Sequence, residues 1–211
     1  MKITNKMLEE ELNNLPQNYK TRHLDEIIKR YIKEDADLSG MEKYLERMNP
    51  DAYRIFFYVS LNKIKDVNER AKFINDRSYL FHEWYHTDQV IKYVRDLDLQ
   101  VALNYAKEDV KSQLPFVRRW GYVMFISKLG RTHAKEILPL LHSDDEYYVQ
   151  MAEAWLLAEL TIDDPEDVYN FLESKVVDYR ISGKAIQKIT ESFRINDEWK
   201  NKFRELRKEL K

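Results

Sequence analysis

The sequence predicts an all-α fold in which short helices stack as an irregular helical-repeat solenoid, and three observations carry that expectation. Only four glycines and five prolines occur in 211 residues, too few for the many tight turns of a sheet-rich chain. Charged residues make up 34% and hydrophobic residues 44%, the mixture of helices that each bury one stripe and solvate the rest. From the middle onward, apolar-periodic segments come as pairs at near-regular intervals without a strict sequence period, so each pair would bury its apolar face by stacking on its neighbours. The expected architecture is one domain over residues 1–211, curved around a concave cleft; a compact irregular helical bundle is the alternative.

The first segment, Asn5 to Leu15, sets Met7, Leu8, Leu12 and Leu15 on one side and stops at Asn13-Asn14 and Pro16. Thr21 to Glu34 follows, with Leu24, Ile27, Ile28, Tyr31 and Ile32 at helical spacing, and the turn from Asp35 to Gly40 ends it. Ser39 is placed to cap a helix from Met41 to Met48, and Asn49-Pro50 breaks the chain before Asp51 to Leu61. Within that segment Ile55-Phe56-Phe57-Tyr58-Val59 is apolar all round, as a helix buried between neighbours requires. Val67 to Arg77 is a shorter helix, and the next runs from Trp84 through Val90, Ile91, Tyr93 and Val94. Leu97 to Asp109 precedes a helix that Pro115 opens, where a missing N–H costs nothing; it runs from Phe116 to Leu129 and ends at Gly130. Thr132 to Leu141 is short, and Ser143 to Glu146 supplies an acidic first turn for Tyr147 to Leu160. Pro165 opens Glu166 to Val177, Ser182-Gly183 opens a helix through Phe193, and Asp197 begins the last.

The formal net charge of -2 conceals a segregation. Lys111 to Lys135 holds six basic residues and no acidic one, Glu136 to Ser174 eleven acidic residues and no Lys or Arg, and Lys175 to Arg207 nine basic against five acidic. If the two positive blocks meet in space they form a basic surface for a polyanion, with salt-dependent affinity; otherwise they are solvated faces. The acidic block would repel a polyanion unless it faces elsewhere. With no cysteine, disulfides and thiolate metal sites are excluded and an intracellular location is expected. Met1 to Glu10 has no apolar h-region and no run approaches the length of a membrane span.

The most informative stretch is Phe81-His82-Glu83-Trp84-Tyr85-His86-Thr87-Asp88. Trp84 and Asp88, four apart, leave the same face of a helix. An indole beside a carboxylate suits a flat cation, because the ring offers its negative π-face and the carboxylate a full charge; a core aromatic beside a solvated charge is the plainer reading. His82 and His86 share a face, but Asp88 is rotated away from them, so no metal is expected. Arg118 and Arg119 point about a quarter-turn apart, so at most one faces a ligand squarely. Trp155 lies among Val149, Ala152 and Leu156, which on periodicity alone places it in the core. Lys184 and Lys188 are a same-face basic pair, suited to phosphate or simply solvated.

Three segments carry a further reading in combination: Trp84-Tyr85-His86-Thr87-Asp88, Val117-Arg118-Arg119-Trp120-Gly121, and Asp144 to Leu160 with Trp155 inside it. With Ile181 to Arg194, which contains Lys184, Lys188 and Ser192, they resemble the DNA alkylation repair family, the AlkD-like HEAT-repeat alkylpurine DNA glycosylases, over about residues 40 to 195. The first segment is similar to the family's Trp-x-x-x-Asp helix, the second to its helix bearing an arginine toward the DNA, and Trp155 falls at its second cleft tryptophan. The resemblance implies a C-shaped HEAT-like solenoid whose basic concave face holds double-stranded DNA containing alkylated bases. It implies hydrolysis of the N-glycosidic bond of a cationic N3- or N7-alkylpurine without drawing the base into a pocket. Trp84 and Trp155 would contact the lesion-bearing nucleotide, Asp88 would lie near its deoxyribose, Arg119 would hold backbone phosphate, and Arg118, Lys184 and Lys188 complete the implied DNA-binding set. The same reading expects no cofactor, a monomer, and a cytoplasmic location associated with the nucleoid.

The residue types suit that chemistry. An alkylated purine already carries positive charge, so its departure needs no general acid, and what remains is to stabilise an oxocarbenium-like sugar, a task for a nearby carboxylate. Two other classes stay open: a catalytically inactive helical-repeat module that binds DNA structure or a protein, and a peptide scaffold, which would show an apolar groove.

Overall fold

Polar side chains start many of the helices. Thr4, Asp66, Asp98, Asp178 and Asn196 each accept a first-turn N–H, satisfying donors that no helical carbonyl reaches. Pro115 and Pro165 take first-turn positions where no N–H is needed. The computed structural model describes residues 1–211 and is all-helical. Its helices are α1 (Asn5–Asn13), α2 (Thr21–Lys33), α3 (Glu42–Leu45), α4 (Asp51–Lys63), α5 (Val67–Asn75), α6 (Trp84–Asp88), α7 (Leu99–Asp109), α8 (Pro115–Val123), α9 (Ala134–Ile137), α10 (Tyr147–Leu160), α11 (Pro165–Glu173), α12 (Tyr179–Glu191) and α13 (Asp197–Glu209). Short 3-10 turns occupy Ser78–Leu80, Ile91–Tyr93 and Leu138–Leu140, and Lys2 and Asp37 form one isolated parallel bridge. No helix is long and apolar enough to cross a membrane.

Helices α4, α6, α8, α10 and α12 begin at residues 51, 84, 115, 147 and 179, a start every 31 to 33 residues. Polar links inside the fold keep nearly the same step. Tyr58 bonds Gln89 and Asn62 bonds Tyr93, while Lys135 pairs with Asp167, Lys184 with Gln150 and Arg194 with Glu159. That spacing is the length of a two-helix repeat, and within each unit side chains reach across about one such step.

Several helices are shorter than their apolar pattern. The Trp84 helix ends at Asp88 and does not continue to Val94: the Tyr58 hydroxyl donates to the Gln89 carbonyl at 3.1 Å, and the Tyr93 N–H turns to the Val90 carbonyl at 3.0 Å. The helix expected over Phe116 to Leu129 stops at Val123, where the Phe125 and Ile126 amides switch to acceptors three residues back. There the chain folds over itself so closely that a Cβ on Gly130 would stand 2.2 Å from the Phe125 carbonyl oxygen. Met41 to Met48 keeps only α3, closed by similar three-residue bonds at Arg47 and Met48. Conversely, α12 starts three residues before Ser182, because Asp178 accepts from the amides of Arg180 and Ile181.

Two compact units divide the chain, Met1–Tyr93 and Val94–Lys211. In the first, α1 and α2 pack on α4, whose Tyr53, Ile55, Phe57 and Val59 are fully buried; a helix apolar on all sides takes the centre. In the second, α8, α10 and α12 pack side by side as one row, with α7 on α8 and α13 on α12, and α11 touches α9, α10 and α13.

Candidate functional site

Trp84 and Asp88 occupy the two ends of the single turn α6, in the first unit. The middle of that turn is its anchor: His86 and Thr87 are wholly buried, whereas Trp84 is 44% exposed and Asp88 is partly exposed. The His86 ring stacks on Tyr53 of α4 at 4.2 Å, and His82 meets the same tyrosine edge-on at 4.6 Å. Burial lowers the His86 pKa to about 3, with the neighbouring His82 acting in the same direction, so the ring packs as a neutral aromatic. The His82 N–H reaches His86 Nδ1 at 3.5 Å. The Thr87 hydroxyl lies 2.8 Å from the Trp84 carbonyl and 3.0 Å from Asp88 Oδ1, and its one proton serves one acceptor at a time. A five-residue helix would fray alone; here two buried residues hold it, and its indole and carboxylate emerge on one side. The histidines therefore act as packing groups, and nowhere do three His, Asp or Glu side chains gather as a metal set.

The remaining candidates lie in the second unit, and each is described within it. Arg118 forms a two-pronged pair with Asp144, at 2.6 and 3.1 Å, and donates to the Ser112 carbonyl at 2.9 Å. Burial pushes Asp144 up, but the Arg118 hydrogen bond and the Glu146 amide outweigh it and hold the carboxyl below its ordinary value. Arg119 is only 4% exposed and donates to the Tyr148 carbonyl at 2.6 Å, tying α8 to the start of α10. Trp155 on α10 is partly exposed, although the periodicity of its helix would enclose it. On α12, Lys184 donates to Gln150 Oε1 and to the Arg180 carbonyl, both at 2.9 Å, and Lys188 is partly exposed one turn on. The two arginines are thus structural ties between α8 and the α10 region, while the lysines reach the surface.

Five of the eleven carboxylates of the acidic block pair with Lys or Arg inside this unit. Asp144 pairs with Arg118, Asp145 with Arg180, Glu159 with Arg194 and Arg131, Asp163 with Arg131 and Asp167 with Lys135. The three charge blocks of the sequence are therefore partners across successive helices. Glu153 has no cation and is fully buried on α10: its Oε1 accepts the His142 N–H at 3.3 Å, and its Oε2 has no partner. Burial pushes the Glu153 carboxyl up to about 8. Beside it the Tyr122 hydroxyl stands 3.0 Å from His142 Nδ1. Sequence reasoning missed this cluster and the Tyr53 seat of His86, because neither follows a local spacing; one signal for Glu153 was a carboxylate set among the alanines and leucines of an otherwise apolar helix.

A family model described as DNA alkylation repair enzyme matches residues 18–190 of the chain. No match is found among curated proteins or among solved structures.

Proposed function

The chain belongs to the DNA alkylation repair enzyme family, and from that premise we propose that it is a DNA glycosylase hydrolysing the N-glycosidic bond of cationic N3- and N7-alkylpurines in duplex DNA. The observation that carries the reading is α6, a one-turn helix whose buried His86 and Thr87 fix an outward indole and carboxylate four residues apart. In this reading the Asp88 carboxylate stabilises positive charge growing on the deoxyribose as the base departs, and orients the attacking water. Trp84 offers a ring face to the cationic base without bonding to it covalently, and the family resemblance gives Trp155 on α10 the same role. The departing purine is neutral once the bond breaks, so no proton donor is assigned to it. Lys184 and Lys188 are the phosphate-holding cations, and Arg119, enclosed and bonded to Tyr148, sets the α8 to α10 spacing behind them. Arg118 is committed to Asp144 and takes no part in contacting DNA.

The test is release of 7-methylguanine and 3-methyladenine from methylated duplex DNA by the wild type and by Asp88→Asn. The expected result is release by the wild type and at least a tenfold loss in the variant, about 1.4 kcal/mol of barrier, with unfolding temperatures matched. No release by the folded wild type overturns the glycosylase reading and leaves a module that binds DNA or a protein without cutting.

A further inference from the structure

Helix α10 is inverted. Its three polar residues, Gln150, Glu153 and Glu159, are all buried, and the four positions that reach solvent are Tyr147, Tyr148, Met151 and Trp155. At 100° per residue these four fall within about a quarter-turn of helix and run about 12 Å along its axis. An outward face made entirely of aromatic and methionine side chains marks a contact surface, because solvent selects polar residues on a face that stays wet. Tyr147 and Tyr148 are 57% and 41% exposed. Both are held in place: their rings pack edge to face at 5.3 Å, and Phe116 of α8 backs Tyr148 at 5.9 Å. On the other side lies α12, whose Lys184 ammonium stands 5.8 Å from the Tyr147 ring, with Lys188 one turn further.

Resting on the DNA reading above, we propose that this stripe is a DNA track: Tyr147, Tyr148 and Met151 extend the contact of Trp155 along one strand, taking the sugar faces of the neighbouring nucleotides. Lys184 and Lys188 border the track and hold the phosphates of that strand. Contact with sugars tolerates any sequence, since every deoxyribose presents the same apolar face, which suits an enzyme that must inspect DNA for damage of no fixed context. At 3.4 Å of axis per nucleotide in one strand, the stripe spans about three nucleotides. The lysine edge fits a phosphate backbone better than a purely apolar protein surface: of the nearby carboxylates, Asp144 pairs with Arg118 and Asp145 and Asp178 share Arg180, while the exposed Glu146 precedes Tyr147 and Lys184 keeps its bonds to Gln150 and Arg180.

The test is binding of fluorescein-labelled duplex DNA, undamaged or carrying a tetrahydrofuran abasic analogue, measured by anisotropy over a series of salt concentrations. Tyr147→Ser/Tyr148→Ser is expected to weaken binding about tenfold or more while leaving the slope of log affinity against log salt unchanged, because no ion contact is lost. Tyr147→Phe/Tyr148→Phe keeps the rings and should bind as the wild type does. Lys184→Gln/Lys188→Gln should instead flatten the slope by up to two counterions. Wild-type affinity in the folded serine variant overturns the track while leaving the glycosylase reading intact. A wild type that binds neither duplex at low salt overturns both and turns the stripe over to a protein partner.

Discussion

Burying a carboxyl without a countercharge costs several kcal/mol unless the group takes up a proton. Glu153 takes that course, its pKa raised by burial from 4.5 to about 8. Between those values the unfolded chain carries no proton at this residue and the folded chain carries one, so stability falls as pH rises. The contribution is complete below the unfolded value, declines by about 1.4 kcal/mol per pH unit in between, and is gone above the folded one. Thermal midpoints of the wild type from pH 5 to 9 should therefore decline more steeply than those of Glu153→Gln, whose amide stays neutral throughout. Parallel curves would show that the residue does not titrate across the range. Residue-level legibility was uneven. The spacing of Trp84 and Asp88 was plain in the sequence and survives as one helical turn, but that His86 and Thr87 are the buried pair between them depends on Tyr53, more than thirty residues away.

Helix identity follows from spacing, whereas helix length is settled by neighbours. Tyr147 to Leu160 keeps its expected ends, with α8 and α12 packed against it. The stretch after Asp88 has the same apolar character and loses its helix to the Tyr58 hydroxyl. Trp155 shows the limit of periodicity: on α10 every polar residue is inside and part of the apolar set is outside, the reverse of what an amphipathic count assumes. Close packing of α7 on α8 depends on Gly121, where a Cβ would stand 2.9 Å from Val110 Cγ1 and 3.1 Å from Asp109 Cβ. Gly121→Ala is expected to destabilise the fold by about 1–3 kcal/mol through overpacking, despite alanine's better helix propensity. Chemical denaturation checks it, and a stabilised variant would mean that α7 moves aside freely.

At the scale of the molecule, the segregated charge of the sequence becomes ion pairing between successive helices of the second unit. Glu159 is the hub, accepting both prongs of Arg194 at 3.0 and 2.8 Å with Arg131 at 3.6 Å. Its side chain is only 9% exposed, while the arginines are 40% and 38% exposed. Glu159→Ala should cost roughly 2 kcal/mol, less than a fully buried pair because the guanidiniums regain water. Asp145→Ala, which breaks an exposed pair with Arg180, should stay within about 0.5 kcal/mol; urea midpoints separate the two, and equal effects would deny Glu159 its role. The sequence by itself determined the all-helical class, most helix starts, the absence of cysteine chemistry and the Trp84, Asp88 and Trp155 motif that resembles the repair family. These are local properties, since caps, breakers and spacing act within a few residues. Tertiary structure alone decided where helices stop, that Arg118 pairs with Asp144, that Glu153 is enclosed, and that α10 turns its aromatics outward. Most of these depend on side chains many residues apart, about one helix-to-helix step in the case of Tyr58 and Gln89, and such a separation leaves no periodic trace in the sequence.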